Sequence, residues 1–214
     1  YAQFIHQACN TLDNATTTGQ IVRLIQKVIC SLMLPSSMIG SFAELLEKRI
    51  QRFDYYDNDF SEPRKLMFLR CIELYYYIVP WLNDSQIINM MERQAALVTL
   101  KGITANDERI YLQILHLINA IVKMCATNRK LSDSIIKSFN DKHKIHFPSN
   151  IIEKLFDHLF ETAMKDKSWI EALKMPMVKV ILMLIRNILY SMPVILDGVY
   201  VNLIVGKLIK ITKS

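Results

Sequence analysis

The chain has 214 residues, of which 51% are hydrophobic, with a formal net charge of +6 and only 5 Gly and 6 Pro. That length fits one domain or two small ones, and it buries roughly 70% of the unfolded surface, so no disulfide or metal staple is required. So few turn residues argue against a strand-rich fold, and the most apolar stretch, residues 177–196, is broken by Lys179, Arg186, Asn187 and Pro193, which excludes a membrane span there.

Apolar periodicity with start and stop signals predicts about ten helices. The first covers residues 1–12. Thr17-x-x-Gln20 has the spacing of a capping box and opens a second helix that runs to Leu34, before Pro35. Ser36 caps a third, which ends near Phe53. An acidic, aromatic loop follows over residues 54–60, and Ser61 and Pro63 open a fourth helix that stops near Pro80. Asp84 or Ser85 is the expected cap of the fifth, with Gly102 at its end. Asn106, Asp107 and Glu108 open a long sixth helix, because carboxylates stabilise a helix N-terminus.

This sixth helix is apolar around most of its circumference, through Ile110, Ile114, Leu115, Leu117, Ile118 and Ile121. Gln113, His116, Asn119 and Lys123 form its narrow polar strip. Neighbours on three sides are expected of such a helix. A short seventh covers residues 131–140. The eighth begins at Pro148, Ser149 and Asn150, with Leu155, Phe156, Leu159 and Phe160 on one face. Ser168-x-x-Glu171 opens the ninth, which Pro176 kinks or restarts, and the tenth spans residues 198–211.

Every second helix begins near residue 18, 62, 106, 149 and then 193–197, an interval of about 44. In this spacing and in its helix punctuation the chain resembles the HEAT/armadillo class of helical repeats over most of its length. That resemblance implies an all-α, right-handed α-solenoid of about ten helices, with residues 1–214 as one helical-repeat domain. Stacked pairs would share a core and leave a broad face open. An irregular helical bundle is the competing architecture. A first residue of Tyr1 rather than Met is what a fragment of a larger protein would show.

Catalysis requires groups whose roles interlock, and none is evident. Phosphate-cradling glycine loops, nucleophile elbows and His-Glu-x-x-His helices are all missing from the sequence. His143-x-x-His146 is the sole paired-histidine motif, with Lys142 and Lys144 beside it to repel a cation and no cysteine nearby. Neither a metal nor a cofactor is expected. Cys9, Cys30, Cys71 and Cys125 are widely separated and lie in apolar stretches, as buried thiols of an intracellular protein do. Glu44 and Glu47, next to Lys48 and Arg49, read as an ordinary charged face.

Residues that suit a partner are clearer. Tyr55, Tyr56 and Phe60 alternate with Asp57 and Asp59, an arrangement that either anchors a basic segment or caps helix ends with the acids in water. Tyr75, Tyr76 and Tyr77 span about 200° of a helix, so at least one ring leaves the core. Residues 1–100 hold 9 Lys+Arg against 10 Asp+Glu, whereas residues 101–214 hold 17 against 10. Lys142, Lys144, Lys207 and Lys210 represent that basic half. The expected function is a non-enzymatic scaffold or adaptor that binds a peptide, a helix or a folded protein. The alternative is a helical nucleic-acid-binding module that uses the basic half.

Overall fold

A computed structural model describes residues 2–12, 23–25, 27, 36–51, 62–99, 108–144, 146–165, 169–194 and 198–212. Among them the chain is all-helical, with no strand. Ten helices have both bounds defined: α1 (Ala2–Leu12), α2 (Ser36–Gln51), α3 (Glu62–Ile78), α4 (Asp84–Thr99) and α5 (Glu108–Cys125), then α6 (Arg129–His143), α7 (Ser149–Lys165), α8 (Trp169–Ala172), α9 (Pro176–Ser191) and α10 (Gly198–Thr212). The expected second helix and its Thr17-x-x-Gln20 box lie largely outside the described residues, as do the expected Asn106 cap and the Gly102 stop. No helix of the described residues is long and apolar enough to cross a membrane.

Punctuation follows local chemistry. Pro80 ends α3 through a short 3-10 turn, Val79–Trp81. Pro176, with Met175 extended before it, starts α9 afresh, so the proline restarts the chain after the four-residue α8. The cap of α4 is Asn83, neither Asp84 nor Ser85. Its Oδ1 accepts from the Gln86 backbone N–H at 2.9 Å, and Gln86 Oε1 accepts from the Asn83 N–H at 3.4 Å. This reciprocal pair is a capping box with Asn in the first position. Asn128 caps α6 in the same manner, accepting from the Leu131 N–H at 3.1 Å, and therefore starts that helix earlier than the apolar pattern indicated.

α5 is the hub. Ile110, Ile114, Leu115, Leu117, Ile118, Ile121 and Val122 are fully enclosed. The helix packs most extensively against α9 and α3, and also against α4 and α6. Its surroundings are thus as the all-round apolar pattern requires.

Six contacts between helices share a sequence separation of 46 or 47 residues. Gln86 Nε2 donates to the Gly40 carbonyl at 3.2 Å across 46 residues, and Ser138 Oγ donates to Glu92 across 46. Arg109 reaches Glu62 at 3.3 Å across 47, and the Tyr200 hydroxyl donates to the Glu153 carbonyl at 2.7 Å across 47. Arg93 with Glu47, at 3.6 Å, and the Tyr111 ring with the His158 ring, at 4.9 Å, keep the same interval. These bonds tie α2 to α4, α4 to α6, α3 to α5, α5 to α7 and α7 to α10. The most extensive packing departs from this interval: α9, the main neighbour of α5, lies four helices along the chain from it.

Glu47 is a correction to the solvated-face expectation. Its Oε1 accepts from the buried Tyr75 hydroxyl at 2.8 Å, and its Oε2 faces Arg93, so one carboxylate joins α2, α3 and α4. Glu44, one turn earlier, is exposed.

Candidate functional site

α3 and α5 run side by side in the same direction, and α9 packs against α5. Glu62 and Arg109 meet near the starts of α3 and α5, whereas Tyr77 and Met124 share a cleft near their ends. Asn119 and Asn187, in the last third of α5 and α9, meet through a 2.7 Å bond from Asn187 Nδ2 to Asn119 Oδ1. The C-terminal halves of three helices therefore form one surface.

The tyrosine trio is distributed as its 200° arc demands. Tyr75 is fully buried, Tyr77 is half-buried and Tyr76 is exposed. Burial, and then the Glu47 carboxylate, push the Tyr75 hydroxyl well above the usual tyrosine range. Tyr76 and Tyr77 pack edge to face at 5.1 Å. Together with Pro80, Ala120, Lys123 and Met124 they line a cleft of about 510 Å³ between α3 and α5. A second cleft, of about 640 Å³, lies along α9 and is lined by Leu182, Ile185, Arg186, Leu189 and Tyr190. Asn119 lines the first and Asn187 the second, so the bonded amides form the saddle between them.

The surface is apolar with a positive edge. Tyr190 is 84% exposed and Leu189 52%. Lys123 and Arg186 supply the charge, with no carboxylate among the described lining residues, and neither cation is in an ion pair with another described residue. His116, one turn before Asn119, is held below the usual histidine range, first by burial and second by Lys123. That shift favours its neutral form.

A separate apolar surface lies on α10. This helix contacts the body through Tyr200, Ile204 and Lys207, spaced as one face. Lys207 Nζ is 3.8 Å from Asp157 and 5.0 Å above the Phe160 ring. Elsewhere on the helix Val201, Leu203, Val205 and Leu208 remain substantially exposed.

The other residues expected to meet a partner are scattered. Tyr55, Tyr56, Asp57, Asp59 and Phe60 lie outside the described residues, and so does the Lys210 side chain. Lys142 Nζ bonds the nearly buried Glu92 carboxylate at 2.7 Å, whose other oxygen accepts from Ser138. Lys144 occupies the left-handed region, with φ 52°, and its N–H closes α6 onto the Asn140 carbonyl at 2.9 Å. Lys142 and Lys207 thus bind helix to helix, and Lys144 turns the chain. Cys71 and Cys125 are buried thiols; Cys9 and Cys30 lie outside the described side chains. Burial pushes the Cys125 thiol up to about 12. Among the described residues no group of three or more His, Cys, Asp or Glu is placed to hold a metal.

Sequence reasoning missed Asn119, Asn187, Leu189 and Tyr190 as members of one surface. Leu189 and Tyr190 lie in the apolar run that ends at Met192-Pro193 and read as core, yet both are exposed among the described residues. Comparisons with protein-family models, with curated proteins and with solved structures returned no match to this chain.

Proposed function

We propose that the chain is a docking scaffold within a larger assembly, with helix pairs stacked in the manner of a HEAT/armadillo solenoid and a broad face turned to a protein partner. The exposed apolar side chains of α9 and α10 carry this reading. Leu189, Tyr190, Val201, Leu203, Val205 and Leu208 are each at least 38% exposed. Single exposed apolar residues need no explanation, but runs of them on one helix mark surfaces that another macromolecule covers. The interhelical bonds repeating at 46–47 residues support the stacked arrangement. The employment of Lys142 and Lys207 in contacts to Glu92 and Asp157 weighs against the nucleic-acid reading, because it removes two of the cations that reading relied on.

Cross-linking of the chain in the lysate of its own cells, followed by mass spectrometry, tests this. One stoichiometric protein with cross-links on α9 or α10 is expected, and Leu203→Glu or Tyr190→Ser should reduce its recovery at least fivefold. Recovery that depends on nuclease-sensitive material, or binding to generic duplex that falls steeply between ~50 and ~200 mM salt, would establish the nucleic-acid module instead.

A further inference from the structure

We propose that the paired clefts across α3, α5 and α9 receive an amphipathic helix of a partner protein whose apolar stripe is flanked by carboxylates. This rests on the docking reading and names the occupant of one surface. Shape comes first. Adjacent helices pack about 8–10 Å apart, so the path from Tyr76 on α3 over α5 to Tyr190 on α9 spans roughly 16–20 Å. At a rise of 1.5 Å per residue, about 11–13 helical residues cover that distance. Such a helix offers three or four apolar side chains on one face, enough to enter the cleft beside Tyr77 and Met124 and the cleft beside Leu182 and Leu189.

Charge selects the occupant. Lys123 and Arg186 stand on neighbouring helices, and the described lining holds no carboxylate to neutralise them. Carboxylates about seven residues apart on the incoming helix, ~10 Å along its axis, match that spacing. The Asn119–Asn187 bond pairs one donor with one acceptor at the saddle, and a small residue of the occupant can ride over it. A single-stranded nucleic acid would find rings to stack on, but only two cations among the described lining residues. Two neutralised phosphates give little affinity at moderate salt, and the aliphatic floor of Ala120, Leu182 and Ile185 offers no hydrogen bonds to base edges.

The test is selection from a display library of random helical peptides, each about 16 residues long. The peptide most enriched is then synthesised, and its binding is measured by fluorescence anisotropy. Enriched peptides are expected to be net acidic and amphipathic. The double reversal Lys123→Glu/Arg186→Glu should weaken the synthetic peptide at least tenfold, and Tyr190→Ser about threefold. All three positions are at the surface, and unchanged circular dichroism serves as the control for folding. Absence of enrichment, enrichment of neutral or basic peptides, or indifference to the charge reversal overturns the proposal. Displacement of the peptide by an oligouridine of about 12 nucleotides at lower concentration than by the peptide itself also overturns it. Peptides that bind but photo-cross-link to α10 sink this groove while leaving the docking reading intact.

Discussion

The helices α5 and α10 are both dominated by aliphatic residues, yet one lies at the centre of the molecule and the other at its margin. α5 has ten buried residues along its 18, and α10 has one, Ile204, among those described. Apolar content therefore does not decide burial; the number of neighbours does. α5 is covered by α3, α9, α4 and α6, whereas α10 rests on α7 along a single stripe. The polar residues follow suit. On α5 Asn119 is sealed into a bond with Asn187, but on α10 Lys207 reaches back over Phe160 to hold the helix down. An interior helix uses polar groups to satisfy other polar groups, and a marginal one uses them to attach.

The sharpest way to break this contrast is alkali. Cys125 and Tyr111 of α5, like Tyr75 of α3, ionise in the folded chain only well above their ordinary values, because burial opposes the charge. Groups raised in this way contribute stability that is complete below their unfolded pKa, near ~9–10, and that disappears as pH climbs through the folded value. The urea midpoint should therefore decline steeply from about pH 9 to about pH 12. Cys125→Ala should flatten part of that slope, and a midpoint indifferent to alkali would mean the hub is open to solvent.

Next in size is a paired truncation. Leu117→Ala, in the fully enclosed part of α5, should cost about 3–4 kcal/mol in urea denaturation, while Leu203→Ala on α10 should cost less than ~1 kcal/mol. Equal costs would show that α10 is covered in solution. Asn119→Leu, which strands the Asn187 amide, should cost about 1–3 kcal/mol, and adding Asn187→Leu should recover part of it. At the small end, the two cations of α6 and its turn separate cleanly. Lys142→Met should lose about 1–2 kcal/mol because it strips a partner from Glu92. Lys144→Gly should instead gain up to ~1 kcal/mol by relieving the left-handed backbone.

Much of the helical framework could be read from residues alone. Proline and glycine positions predicted where α3 and α9 break and where α10 begins, and the all-round apolar pattern of residues 110–122 identified the hub. An interval of 44 in the helix starts lies close to the 46–47 at which helices bond across the fold. Periodicity reports that a face is apolar but not which neighbour covers it. Hence the approach of α9 to α5, and the surface their ends make with α3, stayed hidden. Glu47 shows the same limit at one residue: nothing in Glu-Leu-Leu-Glu-Lys tells which acid turns inward to a tyrosine 28 positions later. Among the candidate site residues, Lys142, Lys144 and Lys207 were visible as charge, but their attachments to Glu92, the Asn140 turn and Asp157 were not.

Gln86 is both the closing residue of the box that starts α4 and a donor to the Gly40 carbonyl of α2. The first turn of α4 consequently cannot unravel by itself, since releasing it also detaches a neighbour 46 residues upstream. Amide exchange near Ile87 and near Gly40 should therefore proceed as a single opening event with one shared rate, and Gln86→Ala should split it into two.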